Sequence, residues 1–118
     1  MQVPHHHNAE VPHRKVVDYL LDQDHPDGGP KARFFADHGY TAARADVVIA
    51  DLKRHISEHS VANTRTSRFG ISYAVDGSIH APDGQDIFIR TVWFIETGFN
   101  LPQFVTAYPV TPPHPEMD

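Results

Sequence analysis

Apolar residues recur at helical spacing between Arg14 and Ile56 and alternate with small or polar ones from Phe69 onward, so the chain divides into a helical half and a strand half. Val16, Val17, Leu20 and Leu21 make one stripe and predict a short helix over about Arg14–Asp22. His25-Pro26-Asp27-Gly28-Gly29 breaks the chain. A second helix starts at Pro30, where a missing N–H costs nothing, carries Ala32, Phe34, Phe35 and Ala36, and stops at Gly39. The third and longest has Thr41 as its expected N-cap and Ala45, Val48, Ile49, Leu52 and Ile56 on its apolar side. The stretch Ser57–Thr66 is polar, without a period, and reads as a loop.

After that loop the period is two. Phe69, Ile71, Tyr73 and Val75 alternate with Gly70, Ser72 and Ala74, a half-buried strand. Asp76-Gly77 then reads as a hairpin turn, with Ile79 beginning the return, and Pro82-Asp83-Gly84 as a second turn. Asp86–Ile95 is the strongest strand, apolar on both faces as in a central strand covered on both sides. Gln103–Tyr108 is the last, closed by Pro109. Helices followed by strands predict an α+β fold: two or three N-terminal helices packed on one face of a C-terminal antiparallel sheet of three or four strands.

The expected organisation is a flexible N-terminal arm over residues 1–12, a single α+β domain over 13–109 and a Pro-rich tail over 110–118. A length of 118 residues fits one domain. There is no cysteine, which excludes disulfides, thiolate catalysis and Cys-based zinc sites. No apolar run is long enough to span a membrane, and the first residues lack the apolar core of a signal peptide, so a cytoplasmic location is expected.

Net charge is −5, which argues against capture of nucleic acid by the surface as a whole. The charge is uneven, however: Gly28–Val75 carries seven Lys/Arg against four acids, and the remainder of the chain is acidic. The basic groups are therefore concentrated in the middle of the sequence.

Ten histidines raise the question of metal. His5, His6 and His7 are adjacent and cannot readily converge on one ion, and His55 and His59 stand at i, i+4 with no third ligand, so no metal site and no cofactor is expected. The segment from His25 to Lys31 is a better candidate. Two glycines and a proline lead into a helix N-terminus with a lysine in its first turn, an arrangement suited to an anion. Its phosphate-loop spacing is absent, and the plain alternative is a helix cap with exposed bases. Arg90 stands in the most apolar strand and must either be paired, for instance with Asp86, or open onto a cleft. Thr106 and Tyr108 share one face of the last strand and either line a pocket or merely form strand.

Two resemblances bear on these residues. Tyr19-Leu20-Leu21, His25-Pro26-x-Gly28-Gly29-x-Lys31-Ala32-x-Phe34-Phe35, Gly39-Tyr40, Thr91-Val92-Trp93 and Phe104-Val105-Thr106-Ala107-Tyr108-Pro109 resemble an uncharacterised bacterial domain family over about residues 14–109. The C-terminal part also resembles the barnase–EndoU–colicin–RelE group of toxin ribonucleases, with helices before an antiparallel sheet. That second resemblance implies metal-independent RNA cleavage by a bacterial toxin domain, checked by a small antitoxin or immunity protein. Lys31 and Arg90 would then stabilise the phosphate, His25, or else His38, would transfer protons, and Thr106 and Tyr108 would orient the substrate. RNA and the small inhibitor are the implied partners; a membrane is not. The alternative is a non-catalytic protein-interaction module, which the acidic ends suit. A metal-dependent hydrolase lacks a carboxylate–histidine cluster at ligand spacing.

Overall fold

The computed structural model describes residues 1–26 and 29–112. A short helical turn, His13–Lys15 (α1), runs on into a π-turn over Val16–Leu20. Gly29–Asp37 (α2) and Ala45–Glu58 (α3) follow. Four strands come next: Val61–Ser67 (β1), Gly70–His80 (β2), Asp86–Glu96 (β3) and Gln103–Pro109 (β4). They form one antiparallel sheet in the order β1-β2-β3-β4. This is the expected α+β architecture, helices first and an antiparallel sheet after.

Alternation along the strands decides which residues meet the helices. Val75, Thr91 and Ala107 line up across β2, β3 and β4, as do Tyr73, Trp93 and Phe104, and all six are buried. Against them α3 lays Val48, Leu52, His55 and Ile56, while Val16, Leu20 and Phe35 complete the core from the earlier helices. The other face carries Ala74, Asp76, Arg90, Val92, Thr106 and Tyr108, all half-buried. Residues of the helical half reach this face at the β4 edge, where Tyr19 and Lys31 bond to Thr106.

Three local expectations need correction. The Ser57–Thr66 stretch holds β1, whose residues from Ala62 on are all exposed; an edge strand covered on neither face has no apolar period to betray it. Asp76-Gly77 is no hairpin turn: β2 runs straight through it, paired with β3 from Gly70 to His80, and the chain reverses at Pro82-Asp83-Gly84 instead. Gly77 is small for another reason, because a Cβ there would overlap the ring of His59, which bonds to the Ser78 carbonyl at 2.9 Å. Thr41 does not cap α3; a 3₁₀ turn, Ala42–Arg44, lies between, and Thr41 makes no side-chain cap bond.

The first twelve residues are packed rather than free. Val3 is fully buried and Ala9 and Val11 are nearly so. Glu10 exchanges backbone bonds of 2.9 Å with Pro102 and Phe104 at the start of β4, and Met1 O accepts from the Val61 amide at 2.7 Å. Isolated valines between prolines have no periodicity, yet two buried valines and edge pairing hold the segment down. Of the Pro-rich tail, the Val110 amide reaches the Phe88 carbonyl at 3.2 Å; residues 113–118 lie outside the described part.

Gly70 opens β2 opposite Glu96, and a Cβ on it would overlap the Ile95 carbonyl oxygen and the Phe94 ring. Backbone cannot swing aside as a side chain can. Gly70→Ala is expected to cost roughly 1–3 kcal/mol in urea unfolding, the scale of overpacking.

Candidate functional site

Three of the sequence-predicted residues, Lys31, Thr106 and Tyr108, meet around Tyr19 where the helices reach the β4 edge. Tyr19 is on the π-turn, Lys31 in the first turn of α2, and Thr106 and Tyr108 on β4. The Tyr19 hydroxyl and Thr106 Oγ1 share a hydrogen bond of 2.9 Å. Lys31 Nζ donates to both oxygens, at 3.2 Å to Tyr19 and 3.4 Å to Thr106. The same ammonium stands 5.4 Å from the centre of the Tyr108 ring, and the His25 ring meets that of Tyr19 edge-on at 5.1 Å. All five are half-buried, held by the fold yet within reach of solvent.

Electrostatics single out Tyr19. Burial raises the pKa of its phenol, but the hydrogen bonds from Thr106 and Lys31 and the charges of Lys31 and Lys15 together outweigh burial, and the phenol is more acidic than usual. Lys15 lies 5.3 Å from the centre of its ring and Lys31 5.8 Å. A phenol acidified between cations can give or take a proton and leave its charge stabilised. Tyr19 is the residue that the sequence reading did not assign to the site. Its signal was there, since it lies within the family-like run yet outside the Val16/Val17/Leu20/Leu21 stripe.

Arg90 belongs to the neighbouring part of the open face. Register sets it beside Asp76 on β2 and Tyr108 on β4. Its Nε and Nη2 donate to the two Asp76 carboxylate oxygens at 2.7 and 2.9 Å. The partner is thus Asp76 and not Asp86, which instead accepts from His80 at 2.8 Å. Bonds to Asp76 and then Tyr108 push the guanidinium pKa up still further. Tyr108 touches both Arg90 and Lys31 and so joins the two cations. Because the Arg90–Asp76 pair is partly exposed, Arg90→Ala leaves Asp76 within reach of water. We expect a loss of about 1 kcal/mol in thermal melts, well short of the ~3–5 kcal/mol for breaking a buried pair.

Other candidates are placed elsewhere. His38 lies seven residues beyond Lys31, about 10 Å along the helix, and bonds to Asp83 at 3.0 Å. At the α2 N-terminus the Gly29 amide is taken by the His25 carbonyl at 2.9 Å and Pro30 has none, so two positions of the expected amide cradle have nothing to offer an anion. Gly28 lies outside the described residues. His55 and His59 are in ring contact at 4.8 Å, but each is bonded to β2 carbonyls. Among the described residues no group of three His, Asp or Glu is gathered as a metal would need, and no helix is long and apolar enough to cross a membrane.

This chain belongs to the family of the domain of unknown function DUF6883, whose model matches residues 2–111. No curated protein matches its sequence. Among solved structures, a chain from a contact-dependent growth inhibition toxin–immunity protein complex of Klebsiella pneumoniae 342 has the same fold. It superposes with a TM-score of 0.71 at 11% identity, covering 92% of this chain and 98% of that one.

Proposed function

We propose that this DUF6883 domain is a metal-independent endoribonuclease of a bacterial toxin system, cutting RNA at the β4 edge. The observation that carries the reading is the bonded set of Lys31, Tyr19 and Thr106, continued through Tyr108 to Arg90. Cleavage needs a group to take the 2′-OH proton, positive charge on the phosphate as the 2′-oxygen attacks, and a proton for the departing 5′-oxygen. The P–O5′ bond breaks as the P–O2′ bond forms, leaving a 2′,3′-cyclic phosphate. Tyr19 and His25 supply the proton transfers, Lys31 and Arg90 the charge, and Thr106 and Tyr108 the orientation. The fold shared with a chain of a toxin–immunity protein complex supports a toxin-system setting.

A second reading is a non-catalytic interaction module, perceived in the net charge of −5 and in Arg90 being already paired with an acid. The two separate in one assay. Purified protein is incubated with end-labelled RNA in EDTA, and products are tested for cyclic phosphate ends. Cleavage that follows the Lys31 and Tyr19 variants establishes the enzyme; an intact RNA pool under every condition replaces it with the interaction module.

A further inference from the structure

The open face of the sheet holds a second feature that shares Arg90 and Tyr108 with the proposed reaction and extends past them to β1. A trough of about 290 Å³ runs across it, lined by Asn63, Thr64 and Arg65 of β1, Ser72 of β2, and Arg90 and Tyr108. Arg65 pairs with Ser72, which stands opposite Phe94, so it lies two strands across and four residues along from Arg90, about 16 Å between backbones at normal sheet spacings. The two arginines differ in how much charge they offer. Arg90 is held by both oxygens of Asp76, whereas among the described residues Arg65 has no carboxylate within ion-pair distance and is exposed. The trough therefore presents one uncompensated cation, the Asn63 amide and the Ser72 hydroxyl at one end. At the other it presents an aromatic ring that also faces Lys31.

We propose that this trough holds single-stranded RNA beside the cleaved linkage, with Arg65 bound to a second phosphate and Tyr108 stacked with a base. The inference rests on the ribonuclease reading for its direction but not for its test. A guanidinium forks onto phosphate oxygens, and Asn63 and Ser72 add neutral bonds to phosphate or ribose. Base stacking on an aromatic side chain tolerates any sequence, so the site reads backbone and not base identity. An acidic polypeptide is the competing occupant, but it gives Tyr108 nothing to stack on.

The test uses the whole chain and a labelled oligoribonucleotide with 2′-O-methyl groups, which binds but cannot be cut. Fluorescence anisotropy is followed from low to moderate salt. Arg65→Ala should weaken binding by roughly fivefold at low salt and reduce the salt slope by about 0.7, the share of one phosphate on a single strand. Arg65→Lys should recover part of the affinity. Because Arg65 is exposed on an edge strand, the thermal midpoint serves as the control for folding. Equal binding by Arg65→Ala and wild type overturns the proposal, as does a wild type that binds no oligomer. Arg65-dependent binding by a protein that cleaves no RNA upholds the trough and ends the catalytic reading, so the two fail separately.

Discussion

Lys31→Ala should lower RNA cleavage by about 10²–10³-fold while leaving the thermal midpoint close to wild type. The size follows from removing a preorganised charge from a phosphate that gains charge in the transition state. Little stability is at stake because the ammonium is half-buried and its two acceptors, the Tyr19 and Thr106 hydroxyls, still bond to each other. Lys31→Arg keeps the charge and should restore a fraction of the rate, which a merely structural lysine would not do. Tyr19→Phe tests the neighbouring group. It removes the acidified phenol but keeps the ring against His25 and the two lysines. If the phenol moves a proton, the loss is ~10²-fold, and the limb of the pH–rate profile belonging to its lowered pKa disappears. Full activity in Lys31→Ala would remove the site from the β4 edge.

How much of this was legible in the sequence depended on burial. β3 was plain because it is apolar on both faces, yet only one face is covered. Ile87, Ile89 and Trp93 are buried on the helix side, while Phe88, Val92 and Phe94 lie half-buried on the open face, so the expected cover on both sides is not what the fold provides. β1 was invisible because its residues from Ala62 to Ser67 are exposed on both faces and carry no period. Val3 and Val11 were buried without being periodic, so the N-terminal strap read as an arm. The site was half legible for a related reason. Lys31, Thr106 and Tyr108 were found from what their own elements required, a helix start and one strand face. That Lys31 meets Thr106 is a contact across 75 positions, which no local pattern encodes. Asp76 was missed as the partner of Arg90 because its position was read as a turn; in a continuous β2 the register brings the two side by side.

The largest stability effect is expected at the buried polar chain beneath the sheet. Trp93 Nε1 donates to Thr91 Oγ1 at 2.7 Å. The Thr91 hydroxyl is thereby left to donate to His55 Nδ1 at 3.1 Å, and His55 Nε2–H donates to the Gly77 carbonyl at 3.1 Å. Every donor has an acceptor only if His55 is neutral and protonated on Nε2. All three side chains are fully buried, so none can turn to water. Thr91→Val keeps the shape and removes the hydroxyl. The Trp93 N–H loses its acceptor and His55 Nδ1 its donor, a cost of about 2–4 kcal/mol in urea unfolding. The same chain makes stability depend on pH. Burial, and after it the nearby charge of His59, lowers the His55 pKa from 6.5 to about 4. The unfolded chain therefore takes up the proton before the folded one does, and falling pH favours unfolding. Stability is unaffected by this group above pH 6.5, declines between 6.5 and about 4, and loses no more to it below. The full loss is about 3 kcal/mol at 1.36 kcal/mol per unit. His55→Gln, a neutral residue that keeps hydrogen-bonding groups in the same place, is less stable at neutral pH but should lack this decline. Parallel stability-versus-pH curves for wild type and His55→Gln between pH 6.5 and 4 would show that His55 does not titrate there, and that the neutral relay is not what holds α3 to the sheet.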